Sequence, residues 1–116
     1  MAILTTHVLD TYHGVPAAGV PIELSRLDGD VRTRLSRATT NADGRCDAPL
    51  LSGEAFRSGR YELAFDLEAY FRGKGVALAD PPFLSRVVIH VGLAAGQKYH
   101  VPLLATPWSY STYRGS

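Results

Sequence analysis

The 116-residue sequence lacks the features that mark several large classes of protein. Its one cysteine, Cys46, excludes an intramolecular disulfide framework and a multi-cysteine metal site. The net charge of +1 argues against nucleic acid or an anionic membrane as the main partner, since both need a concentrated basic surface. No apolar run has membrane-spanning length, and the N-terminus lacks the basic and apolar regions of a secretory signal. We therefore expect a cytoplasmic protein whose stability comes from core packing.

Strict alternation of apolar and polar residues is the main pattern that is present. It occurs in VPIELSRL, RYELAFD and RVVIHV, and glycine-containing turns separate these stretches. Asp66 is a candidate N-cap for one short helix over 67–72, which Gly73 would end. Many short alternating strands with closely spaced turns predict an all-β sandwich or barrel. The chain shows no repeat and no linker, so residues 1–116 are predicted to form one domain.

Two histidines lie on strand-like stretches whose faces are both partly apolar. His7 shares its face with Leu9, and His100 shares its face with Pro102 and Leu104. An apolar outer face on a sandwich strand indicates a subunit contact. Pro102 has no amide hydrogen for a sheet ladder, so a local irregularity is expected there.

Three longer segments carry a resemblance to a known family. THVLDTYHGVPAAGVPIEL, TTNADGR and YHVPLLATPWSYSTYRGS resemble the transthyretin-related family, and more closely its enzymatic branch, the 5-hydroxyisourate hydrolases. The terminal YRGS (113–116) is the most specific element, because it separates the hydrolases from the hormone carrier. The resemblance implies a β-sandwich of two four-stranded antiparallel sheets with one short helix. It also implies a homotetramer, a dimer of dimers around a channel, with the active sites at the subunit interface.

The resemblance also implies a set of site residues and a reaction. The family's catalytic positions fall on His7, Arg45, His100 and Ser116, where Ser116 would bring a hydroxyl and the chain's own α-carboxylate. The implied reaction is hydrolysis of 5-hydroxyisourate to 2-oxo-4-hydroxy-4-carboxy-5-ureidoimidazoline in urate degradation, with no cofactor and no metal. The residues assigned to substrate binding are Tyr113, Arg114 and Gly115.

The side chains suit that chemistry on general grounds. Opening a cyclic amide-like bond with water needs a base, donors for the developing oxyanion and an acid for the leaving nitrogen. A histidine pair can supply base and acid near neutral pH, and Arg45 offers a planar fork of donors. The sequence leaves open which histidine is the base. It also leaves open whether Arg114 binds substrate or braces the chain end.

Two other classes of function remain as alternatives. A transthyretin-like carrier would use the same channel for a small molecule without catalysis. A metal-binding module would use His7 and His100 as ligands, although a zinc site normally has three or four. His13, His90 and Cys46 fall outside the family's site positions, and structural roles are expected for them.

Overall fold

Two β-sheets packed face to face, with one short helix, make up the fold. A computed structural model describes residues 2–115. No helix among these residues is long and apolar enough to cross a membrane. The elements are β1 (Ile3–Asp10), β2 (Val15–Pro16), β3 (Pro21–Asp28), β4 (Val31–Thr39), β5 (Leu51–Ser52), a 3₁₀ turn (Gly53–Ala55), β6 (Gly59–Asp66), α1 (Leu67–Gly73), β7 (Arg86–Leu93), β8 (Lys98–Ala105) and β9 (Tyr110–Thr112).

The sheet topology confirms the sandwich and corrects two details of the expected architecture, the number of strands in one sheet and the antiparallel pairing throughout. One sheet has the order β4-β3-β6-β7 and is antiparallel throughout, as expected. The other has the order β2-β1-β8-β9, and the short β5 also pairs with β1, which makes five strands instead of four. Within it, β1 and β8 run parallel, because the chain between them crosses to the opposite sheet before it returns.

The core between the sheets follows the alternation in the sequence. On β1, every second residue from Leu4 to Asp10 is buried, and the residues between them are partly exposed. Burial of each large apolar side chain contributes about 1.5–3 kcal/mol, so this inner layer is the main source of stability. The largest fully buried side chains are Leu4, Val8, Val20, Ile22, Leu24, Tyr61, Leu63, Phe65, Leu67, Phe71, Val87 and Leu103.

The single helix confirms the predicted cap and position. The Asp66 carboxylate accepts a hydrogen bond of 3.0 Å from the amide of Ala69, which satisfies one of the free donors of the first turn. Tyr70 on the buried face donates to Asp10 Oδ2 at 2.7 Å. This bond fastens the helix to the end of β1.

The strand that carries His100 has the expected irregularity at Pro102. Pairing of β8 with β9 stops at Leu103 and resumes only at His100, which bridges Gly115. Pro102 lies in the gap because it has no amide hydrogen to donate. Its carbonyl accepts a 2.7 Å hydrogen bond from the Thr112 hydroxyl instead. Register with β1 is kept, so His100 stays aligned with the strand of His7.

Candidate active site

His7 and His100 meet on the outer face of the five-stranded sheet. They lie on the adjacent parallel strands β1 and β8, and their ring centroids are 6.2 Å apart at a tilt of 36°. Both side chains are partly buried. No hydrogen bond joins these two rings.

A tight turn brings Arg45 beside His7. The Asn41 side-chain oxygen accepts from the amides of Asp43 at 2.9 Å and Arg45 at 3.2 Å, which fixes the loop. Gly44 has φ +75°, and a Cβ at this position would collide with the Val8 carbonyl oxygen. The turn therefore needs glycine before the arginine.

Backbone contacts join this turn to β1. Val8 donates to the Gly44 carbonyl at 2.8 Å, and His7 and Arg45 form an isolated antiparallel bridge. The loop thus places the guanidinium side chain next to the histidine pair.

The surroundings favour the neutral form of both imidazoles. Burial lowers the pKa of His7, as does the Arg45 charge, while the carbonyl and the carboxylate of Asp43 act in the opposite direction. Burial also lowers the pKa of His100, with further contributions from Arg45 and His7. At neutral pH the pair can therefore accept protons from water or substrate.

The C-terminal segment reaches the pair through Gly115. Its amide donates to the His100 carbonyl at 2.7 Å, and a Cβ on residue 115 would lie 2.9 Å from His100 Cδ2. A Cβ at this point would fit only if the His100 ring moved. Ser116, the fourth predicted catalytic residue, lies outside the described residues.

The other two residues of the tetrapeptide are placed differently. The Arg114 guanidinium lies over the Tyr99 ring at 4.2 Å and donates to Gln97 Oε1 at 3.2 Å and to the Lys98 carbonyl at 3.0 Å. Tyr99 alternates with His100 on β8, so these contacts hold Arg114 on the opposite side of the strand. They favour the bracing role that the sequence left open. Tyr113 is 60% exposed and lines a groove of about 290 Å³ between β7 and β9.

Of the predicted site residues, the structure thus brings four together: His7, Arg45, His100 and Gly115. One contact of the site was missed from the sequence, a 2.8 Å hydrogen bond between Thr5 Oγ1 and His100 Nδ1. Finding it would have required the parallel register of β1 with β8, which places Thr5 directly opposite His100.

The remaining histidines have structural partners, as expected. His13 Nδ1 lies 2.6 Å from Asp10 Oδ2, and His90 Nε2 lies 3.1 Å from Glu62 Oε1. Burial, and then Asp47, raises the pKa of the Cys46 thiol, which suits a packing residue. Within residues 2–115 no three His, Cys, Asp or Glu side chains are grouped to hold a metal ion.

Comparison with known proteins identifies relatives over the full length of the chain. The family described as HIUase/Transthyretin family matches residues 4–115. A protein of Mesorhizobium japonicum named 5-hydroxyisourate hydrolase is 59% identical over 113 residues, which cover 97% of this chain and 91% of that protein.

Solved structures give the same result. That of Klebsiella pneumoniae 5-hydroxyisourate hydrolase aligns with a TM-score of 0.82 at 36% identity, and the match covers all of both chains. The structure of (S)-allantoin synthase aligns with a TM-score of 0.93 at 42% identity over 99% of this chain. This chain spans 44% of the length of that protein.

Proposed function

The chain belongs to the HIUase/Transthyretin family, and from this membership we propose that it hydrolyses 5-hydroxyisourate at the site formed by His7, Arg45 and His100. The activity is supported by relatives of nearly equal length that carry this name. The observation that carries the assignment of the site is the pair of rings at 6.2 Å, which share a surface with Arg45.

The reaction divides into proton transfers that these groups can perform. One imidazole takes a proton from water as the oxygen attacks the C6 carbonyl of the substrate. The carbonyl oxygen gains negative charge, and the Arg45 guanidinium stabilises it through hydrogen bonds and its fixed charge. When the N1–C6 bond breaks, the leaving nitrogen takes a proton from an imidazolium, and C6 becomes a carboxylate.

The chain end is proposed to complete the substrate pocket. Gly115 already lies against His100, and Ser116 follows it in the sequence. We propose Ser116 as a catalytic hydroxyl and, from the resemblance alone, Tyr113 as a substrate-binding residue. Arg114 would then act mainly by holding the segment in place through Tyr99.

A homotetramer with sites at the subunit interface is part of the proposal. Leu9 and Leu104 are register partners on the outer face that carries the histidines, and both are partly exposed. A second copy of the chain would cover these side chains and enclose the site, and water exclusion strengthens electrostatic catalysis. The cytoplasm remains the proposed compartment, supported by the single cysteine.

The decisive experiment measures decay of 5-hydroxyisourate generated in place by urate oxidase. Faster loss of its absorbance than the spontaneous rate, abolished in a His7→Ala/His100→Ala double variant, would establish the reaction and the site. The alternative function, a carrier, would bind the compound without any change in its rate of decay. A spontaneous rate in the presence of the native protein would therefore reject the proposed function.

A further inference from the structure

We propose that Thr5 is a positioning residue, which holds the Nδ1–H of His100 and so leaves the Nε2 lone pair as the proton acceptor of the reaction. The proposal rests on the function proposed above for the identity of the substrate. The tautomer of the His100 ring does not depend on the substrate, and it can be measured in the free protein.

The two contacts of the Thr5 hydroxyl support this direction of the hydrogen bond. Its oxygen lies 2.8 Å from His100 Nδ1 and 3.5 Å from the Tyr99 carbonyl oxygen. A carbonyl only accepts, and a hydroxyl has one hydrogen to donate. Both contacts are used when Thr5 donates to Tyr99 and accepts from Nδ1–H. If Thr5 donated its hydrogen to Nδ1 instead, no hydrogen would remain for the contact with the Tyr99 carbonyl.

The C-terminal segment lies close to the other edge of the ring. A Cβ on residue 115 would lie 2.9 Å from Cδ2, which is on the opposite edge of the imidazole from Nδ1. If the ring rotated by half a turn, Cδ2 would face the Thr5 hydroxyl and the hydrogen bond would be lost. The Thr5 hydrogen bond therefore favours one orientation of the ring, which leaves Nε2 for the substrate pocket.

The neighbouring charges separate the roles of the two histidines. Asp43 supports a proton on His7 through its carbonyl and its carboxylate. Within residues 2–115 no acidic side chain acts on His100 in this way, and both Arg45 and His7 disfavour its charged form. Thr5 is uncharged, so it selects the tautomer of a ring that its surroundings keep neutral. This arrangement makes His100 the base that takes a proton from water, and the His100 imidazolium formed in that step returns the proton to the leaving nitrogen.

The first test reads the tautomer directly. Ring ¹⁵N chemical shifts of histidine-labelled native protein, with the His100 signals assigned by their loss in His100→Gln, should show a protonated Nδ1 and an unprotonated Nε2. In Thr5→Val the Nε2–H tautomer should appear. A native His100 that carries its proton on Nε2 would overturn the proposal, whatever substrate the protein acts on.

The second test is kinetic and uses matched hydroxyl deletions on one strand. Thr5→Val should lower kcat about ten-fold with little change in KM, because it disturbs the orientation of a reacting group and not ground-state binding. Thr5→Ser keeps the hydroxyl and should restore the rate. Thr6→Val is the control, since its hydroxyl donates to the Val101 carbonyl at 2.7 Å on the buried face.

The kinetic outcomes separate positioning from a general effect on the fold. Equal kcat for Thr5→Val and native protein would overturn the proposal. A Thr5→Ser variant as slow as Thr5→Val would do the same, because the hydroxyl would then not be the acting group. Thermal unfolding and sedimentation of each variant show that the compared proteins share one fold and one assembly.

Discussion

Gly115 lies against the ring of His100, and its amide nitrogen is 2.7 Å from the His100 carbonyl oxygen. A Cβ added to this glycine would lie 2.9 Å from His100 Cδ2. The contact joins the C-terminal segment to a site residue by both backbone and side chain. Gly115 is thus held next to the proposed chemistry, and a methyl group added at this position tests how close the contact is.

Gly115→Ala should lower turnover strongly while the fold stays stable. The new methyl group would displace the His100 ring, and misplacement of a reacting group by about 1 Å can cost about 100-fold in rate. The measurement is kcat together with the midpoint of thermal unfolding. Gly73→Ala is the matched control, because a Cβ there meets no atom within 4 Å. Native turnover in Gly115→Ala would show that the C-terminal segment is not part of the active site.

His7→Ala and His100→Ala should each lower kcat by about 100-fold or more, the usual effect of losing an acid–base group. Folding should be kept, since both side chains lie on the outer face of the sheet and not in the core. Stopped-flow decay of 5-hydroxyisourate measures the rate. His90→Ala, which loses only a contact with Glu62, is the control, and a comparable loss there would mean that the site is elsewhere.

Arg45 should contribute, after burial, to the acidic limit of activity. The pKa values of both histidines are lowered from 6.5, so activity should be lost only as the pH falls below that value. Arg45→Met removes a charge that lowers both pKa values, and the acidic limb should therefore move to higher pH. Arg45→Lys keeps the charge but loses the planar fork of donors. The acidic limb of the pH–rate profile should therefore stay at the same pH, while the rate falls. Acidic limbs at the same pH in Arg45→Met and Arg45→Lys would contradict this account.

Tyr70→Phe should destabilise the fold without loss of catalysis. Burial alone would raise the pKa of Asp10, but donors from His13 and Tyr70 lower it below 3.8. A carboxylate whose pKa is lowered in the folded state stabilises the fold at pH values above its pKa in the unfolded chain. This contribution disappears as the pH falls through its pKa in the folded state. Loss of the Tyr70 bond should cost about 1.5–3 kcal/mol at neutral pH and move acid unfolding to higher pH.

Urea unfolding at several pH values measures the effect of Tyr70→Phe. Tyr110→Phe, which removes an exposed hydroxyl, serves as the control. A Tyr70→Phe variant as stable as this control at every pH would show that the Asp10 contact contributes nothing.

Leu104→Glu should break the assembly and lower activity together. The charge would lie on the outer face beside Leu9, where a second copy of the chain is proposed to pack, and burying an unpaired carboxylate is costly. Sedimentation equilibrium gives the mass, and the same samples give the rate. A fully active monomer of the native protein would refute the proposed interface.

The sequence predicted the parts of this molecule that depend on local pattern. Period-two alternation identified the buried face of β1, and Asp66 identified the start of α1, since both signals lie within a few residues. The motifs that carried the resemblance also identified His7, Arg45 and His100, which the fold brings to one surface.

What could not be predicted depends on contacts between distant segments. The parallel pairing of β1 with β8 has no local signature, and without it Thr5 is an ordinary strand residue. The position of Arg114 depends on the contact of the C-terminal segment with β8, which brings the guanidinium over Tyr99. The short β5 consists of two residues, too few for any periodic pattern.

The pairing of β1 with β8 also has a consequence during synthesis. The hydrogen-bonding edge of β1 is complete only when a segment about 95 residues further along the chain has left the ribosome. At about 5–20 residues per second, β1 waits for about 5–20 s with unpaired backbone groups. Such an edge is prone to pair with other chains, and pairing over so great a separation also slows refolding. The first strand is therefore expected to be a site where chaperones bind the nascent chain.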